Sequence, residues 1–205
     1  SEAVAAEKRL ERNLQRLNAL HDIDMAITST SDLHAVLKIL MEKVDLVLPG
    51  AVATIRLISK ESGKLEAVVC RNLDETEWRA ANSGLLHEFA KIVLENKIPL
   101  TVANVQTDPR NDKRQFAKHF GLVSYLGIPL VAKDQLLGLI AFYTKEEHAF
   151  NDDEIEFLST LAGQSAIAIQ NAKLYEETRR SEAEISALHT LTVAATQSLD
   201  LDVVL

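Results

Sequence analysis

The spacing of apolar and polar residues changes period several times along this chain, and each change marks an element. Leu33, Val36, Leu37, Leu40, Val44 and Leu48 fall on one face of a helix, which Pro49-Gly50 stops and which Ser31 or Thr30 is expected to cap. Residues 51–59 and 64–72 have strand composition on either side of a Ser62-Gly63 turn and read as a hairpin. Helical spacing returns over 84–96 with Leu85, Leu86, Phe89, Val93 and Leu94, ends before Pro99, and is followed by a short strand at 100–102. Residues 103–121 carry turn chemistry at Thr107-Asp108-Pro109-Arg110 and one short helix around 113–119. A second hairpin, 124–132 with 136–143, turns at Lys133-Asp134, where Asp tolerates a positive φ. Strands interleaved with helices and joined by tight turns predict an α+β domain, with an antiparallel β-sheet and helices on one side.

The start of the last helix is written with redundancy. Asn151 is placed to cap its free amides, Glu154 to return the bond, and Phe150 to staple onto Ile155. From Leu158 to Ala172 the helix is apolar on nearly every side, the mark of burial against more than one partner. Beyond Leu174 the composition turns to charge, yet no Gly or Pro occurs between Asn171 and Leu205, which predicts an exposed helical rod.

That rod leads into a repeat. Residues 17–37 and 185–205 align without a gap and match at Ala19, Leu20, His21, Ala26, Thr28, Asp32, Leu33, Val36 and Leu37, nine of twenty-one positions. A unit that begins twice predicts a tandem array, with residues 185–205 opening a second copy. The helix expected over 2–27 places Ala3, Ala6, Leu10, Asn13, Leu17, Leu20, Asp24 and Ile27 at alternating three and four spacing, the pattern of a two-helix seam. The equivalent seam in the second copy is Asn171, Leu174, Thr178, Ser181, Ile185, Leu188, Thr192 and Ala195. The expected organisation is a connecting helix over 1–27, a domain over 28–172, and a second connecting helix with the start of the next repeat over 173–205. A homodimer paired through both helices is the expected partner arrangement.

Charge and composition narrow the function. A net charge of −8 with no basic cluster argues against a nucleic-acid partner, which needs Lys and Arg to neutralise phosphates. No apolar run approaches the ~18 residues of a membrane span, so no direct membrane contact is expected of this segment, and one Cys, Cys70, suits a reducing cytoplasm.

The stretches TVANVQTDPRN, LVSYLGIPLVAKDQLLGLIAFY and HAFNDDEIEFLSTLAGQSAIAIQNAKLYEE, with SDLHAVLKILMEKVDLVL more weakly, resemble the GAF family of sensory domains over about residues 17–177. The resemblance implies a PAS-like antiparallel sheet flanked by helices, with long N- and C-terminal connecting helices and a ligand pocket on the side opposite those helices. It also implies pairing through the terminal helices, and tandem occurrence in histidine kinases, cyclic-dinucleotide enzymes and phosphatases.

Within that resemblance the known chemistries can be compared with the residues present. Cyclic-nucleotide-binding relatives carry Asn-Lys before a Phe and then Asp-Glu; here Tyr143-Thr144-Lys145 stands in place of Asn-Lys and the spacing after Phe150 is altered, so that motif is broken. Bilin-binding relatives attach their chromophore to a Cys on a helix or loop, whereas Cys70 falls on a predicted strand and reads as a buried, inert thiol. The methionine-sulfoxide-reducing branch needs a thiolate and a second, resolving Cys, and this chain has one. The histidines show no ligand spacing; only His119, in the segment that covers the family's pocket, is a candidate for a solitary haem ligand. No metal site, catalytic residue or particular cofactor is assigned. The residues expected to reach an ordinary small-molecule pocket are Arg71, Asn104, Asp108, His119, Ser124, Tyr125 and Tyr143, with Phe116, Phe120, Leu126 and Phe142 as its wall. The function expected is a non-catalytic sensory and dimerising module. An enzyme of the methionine-sulfoxide type and a ligand-free structural spacer are the alternatives.

Overall fold

A computed structural model describes residues 32–81 and 88–201, with side chains through His189, together with Leu14, Asn18 and His21. Most of the helix expected over 2–27, and the residues 84–87 that open the third predicted element, lie outside the described residues. The first copy of the repeat is therefore described mainly from Asp32 onward.

Helix α1 (Leu33–Glu42) is capped by Asp32, not by Ser31 or Thr30: the Asp32 carboxylate accepts from the amides of His34 and Ala35 at 3.0 and 3.2 Å. A carboxylate at this position satisfies two amides and also meets the positive end of the helix. The helix tightens into a 3₁₀ turn over Lys43–Leu46 before Pro49-Gly50, where Gly50 takes the positive φ that reverses the chain. The two hairpins form as the pattern requires, β1 (Val52–Ile58) with β2 (Leu65–Arg71), and β4 (Ser124–Ala132) with β5 (Gln135–Thr144). Lys133 and Asp134 both take positive φ in the second turn. The strand β3 (Leu100–Val102) pairs with β4, and the sheet runs in the order β2-β1-β5-β4-β3, antiparallel throughout.

The pattern had no element between the first hairpin and residue 84. The structure has α2 (Glu75–Ala81), whose Trp78 is fully buried and whose Arg79 donates to the carbonyls of Ala67 and Val68 on β2. Next come α3 (Glu88–Asn96) and α4 (Arg114–His119). The last helix, α5, begins at Asp152 and runs to Leu201. Its start is the predicted capping box: Glu154 N donates to Asn151 Oδ1 and Asn151 N to Glu154 Oε2, each at 3.0 Å.

Helices cover both faces of the sheet, not one. Alternate residues of each strand point to opposite faces. Ala53, Ile55, Leu126, Ile128, Leu130, Ile140 and Phe142 join α1 and the first turns of α5 in one core cluster. Val52, Tyr125, Leu139 and Ala141 join α3 and α4 in another. The single-sided expectation failed because helical spacing locates a helix and its apolar face but does not say against which side of the sheet that face packs. The compact unit ends at Ile169, and residues 170–205 form a unit of their own, a helix through Leu201 with Leu174, Tyr175 and Ile185 exposed. Thr196–Leu199 remain helical.

Candidate functional site

The second face of the sheet, under α3 and α4, carries a concavity. Its floor comes from β1, β5 and β4, where cross-strand partners share a face: Thr54 faces Ala141, which faces Gly127, and Arg56 faces Leu139. The small Ala141 and Gly127 lower the floor between larger neighbours, and the ring of Tyr125 lies over Gly127, whose missing Cβ would stand 2.1 Å from the Tyr125 hydroxyl. Phe89 and Ala90 of α3, Phe116 and Ala117 of α4, and Val105, Asn111 and Lys113 from the segment between β3 and α4 complete the lining. The concavity holds ≈ 410 Å³ between atoms including its open mouth, and its interior is a narrow slot with room for about one water molecule.

Its aromatic wall is ordered by ring contacts. Tyr125 meets Phe89 at 5.4 Å and Tyr143 at 5.2 Å between centroids, both tilted. Burial pushes the Tyr125 phenol well above its ordinary range, with the neighbouring Tyr143 adding to the shift and the Arg56 guanidinium opposing it. Burial raises Tyr143 likewise, again against Arg56. Both phenols therefore stay protonated at neutral pH and remain available as hydrogen-bond donors.

Of the residues expected to reach a pocket, Tyr125 and Tyr143 line the slot and the others do not. Arg71 faces the opposite side, because it pairs with Ala53 across the ladder; its guanidinium donates to Met41 O at 3.0 Å and to the Asp45 carboxylate, tying β2 to α1. Asn104 organises the loop after β3: its Oδ1 accepts from Gln106 N at 2.9 Å and its Nδ2 donates to Glu147 at 3.1 Å. Asp108 is engaged by Arg110 through Nε at 3.0 Å and Nη2 at 2.7 Å, which holds its carboxyl below the usual range. Ser124 is fully buried, donating to Ala103 O at 2.6 Å and accepting from His148 N at 2.9 Å. His119 is on the surface, 3.4 Å from Glu77. Of the expected wall, Phe116 lines the slot, Phe120 packs nearby, and Leu126 and Phe142 belong to the other face.

Cys70 is half-buried, and burial first, then the nearby Glu75, pushes its thiol up to about 11. A thiol held so high is almost wholly protonated at neutral pH and a poor nucleophile. Among the described residues no group of three His, Cys, Asp or Glu is placed to hold a metal ion, and no helix is long and apolar enough to cross a membrane.

The residue that sequence reasoning passed over is Arg56. It is 5 % exposed, on an interior strand, and Nε and Nη2 have no hydrogen-bond partner among the described residues. The signal was a lone charge between apolar neighbours in Val-Ala-Thr-Ile-Arg-Leu-Ile, where a strand buried on both faces has no ordinary use for one.

A five-stranded antiparallel sheet covered by helices on both faces, with a slot beneath the α3–α4 side, makes this an α+β domain. The GAF domain family matches residues 30–170, and the chain belongs to that family. Two curated relatives are signalling proteins. The methyl sulfide methyltransferase-associated sensor of Methanosarcina acetivorans is 26% identical over 161 residues, 76% of this chain and 16% of that protein. The circadian input-output histidine kinase CikA of Thermosynechococcus vestitus is 34% identical over 73 residues, 35% of this chain and 10% of that protein. The chain thus spans a small part of the length of the relatives it matches. Among solved structures, the GAF domain of a phosphoenolpyruvate-protein phosphotransferase from Coxiella burnetii superposes with a TM-score of 0.68 at 21% identity, covering 80% of this chain and 98% of that one.

Proposed function

We propose that this GAF domain is a non-catalytic sensory and dimerising module of a cytoplasmic signal-transduction protein. It binds a small molecule in the slot beneath α3 and α4 and passes its occupancy along paired helices to a downstream effector. The observation that carries this reading is the slot: a small-residue floor with phenol and guanidinium donors set in an apolar wall, which is the composition of a ligand site. Sensors among the relatives support the signalling role. The raised thiol of a lone cysteine favours sensing over thiol-dependent reduction. For the paired helices, the support is the apolar Leu174 and Ile185, 48 % and 64 % exposed, on the expected seam.

The test is to denature protein purified from its native cells and analyse what it releases by mass spectrometry. One small molecule near equimolar amount is expected, and Ala141→Leu, which fills the slot floor, should lose it while circular dichroism stays that of the parent. Release of nothing, or equal release from the variant, would refute binding in the slot.

A further inference from the structure

We infer that the slot is an anion site, built for a small monocarboxylate whose charged end is held by Arg56. The inference rests on the reading of the slot as a ligand site and adds the chemical class of the ligand. An arginine 5 % exposed keeps its charge, since guanidinium does not deprotonate in proteins, and so it must either be paired or carry a large desolvation cost. None of the ion pairs among the described residues includes Arg56, and two of its three nitrogens are fully buried and without a partner. Arg71, on the neighbouring strand, shows the alternative: it has a carboxylate partner and a carbonyl, and serves the fold.

The backbone around Arg56 is arranged to keep it there. A bulge in the β1–β2 ladder falls between Ile55 and Arg56, and Arg79 holds the bulged carbonyls of Ala67 and Val68. On the other side Gly138 lets β5 approach so closely that a Cβ would stand 2.1 Å from the Arg56 carbonyl oxygen. The phenols of Tyr125 and Tyr143 line the same slot, held protonated by burial, and neither hydroxyl is hydrogen-bonded among the described residues. A guanidinium with free N–H groups beside phenol donors is complementary to a carboxylate, which accepts through both oxygens. Arg56 is the buried cation of the lining and Lys113 a half-buried one, so the slot favours an anion, and the planar fork of the guanidinium matches the two oxygens of a carboxylate. The apolar remainder of the lining, Leu139, Ala141 and Ala117, suits a short alkyl tail, and because the slot's interior has room for about one water molecule, the side chains around it must part to admit that tail.

Thermal unfolding of the full 205-residue chain tests this, with acetate, propionate and lactate as probes and acetamide, propionamide, inorganic phosphate and chloride at matched ionic strength as controls. The carboxylates should raise the midpoint by roughly 5–10 °C at a hundredfold excess over Kd, and the amides, phosphate and chloride should not. Arg56→Met should raise the midpoint of the unliganded protein, because it removes an uncompensated buried charge, and should abolish the carboxylate response. Arg56→Lys keeps the charge and loses the planar fork, so its response should fall at least tenfold in affinity. Amides stabilising the wild type as well as acids do, or Arg56→Met keeping the carboxylate response, would overturn the anion assignment and leave a slot that binds neutral ligands, so the sensory reading would stand. Absence of any carboxylate effect on the wild type, with Arg56→Met less stable than the parent, would make Arg56 a structural residue and overturn the inference; the co-purification experiment then decides the sensory reading separately.

Discussion

Among the described glycines, Gly127 and Gly138 are the two where an added methyl group would crowd another atom, and each meets a different obstacle. At Gly138 it meets backbone, the Arg56 carbonyl, so β1 and β5 must separate; Gly138→Ala should cost roughly 2–3 kcal/mol and lower the unfolding midpoint by several degrees. At Gly127 it meets the buried ring of Tyr125, which packs on Phe89 and Tyr143, so Gly127→Ala should displace that ring and lose ligand response together with a fall in midpoint. Asp45 makes a different kind of prediction. The hydrogen bond from Arg71 chiefly holds its carboxyl below the usual range, so its contribution is present above the unfolded pKa and is lost as pH falls through the depressed folded value. Because the pair is partly exposed, Asp45→Asn should cost no more than about 1 kcal/mol at pH 7, and the gap between variant and parent should close as the pH falls through the depressed range of the Asp45 carboxyl. Denaturant titrations at several pH values measure both ends. The core residues of this scale were legible from spacing, but Arg71, Asp108 and Asn104 were not, because a polar side chain on a loop or strand end takes whichever partner the neighbouring element brings.

At the scale of elements, the start of α5 is the best-specified point in the domain. Asn151 and Glu154 exchange hydrogen bonds, Glu154 also meets His148 at 2.9 Å, and Phe150 and Ile155 pack on the same core. Asn151→Ala should cost about 1 kcal/mol and lower the midpoint by roughly 2–4 °C, checked by calorimetry. Local rules sufficed here because a capping box satisfies its groups within four residues of sequence. They failed for α1, where Asp32 displaced Ser31 and Thr30 as the cap, and for α2, whose seven residues bury chiefly Trp78 and show no readable period.

For the whole molecule, the proposed signal path is the pair of connecting helices. Replacing Leu10, Leu17, Leu20, Ile185 and Leu188 with Ser should convert a dimer to a monomer in sedimentation analysis at micromolar concentration, while circular dichroism stays that of the parent. A wild-type monomer across that range, or an equally tight variant dimer, would remove the proposed path. The polar Thr178 and Ser181 on the same seam predict a weak dimer, one that a bound ligand can shift, because polar seam positions lower pairing stability.

The sequence by itself determined the two hairpins, the α1 face, the turn at Lys133-Asp134, the capped start of α5 and the family. Each depends on residues close together in the chain, where period and turn chemistry act directly. Only the tertiary structure decided that helices cover both faces, that Arg71 turns toward Asp45 while Arg56 lies beneath α3 and α4, and that Tyr125 and Tyr143 alone among the expected polar residues reach the slot. The reason is the two-residue period of a strand: neighbouring side chains point to opposite faces, and which face holds the slot is fixed by helices packed from elsewhere in the chain.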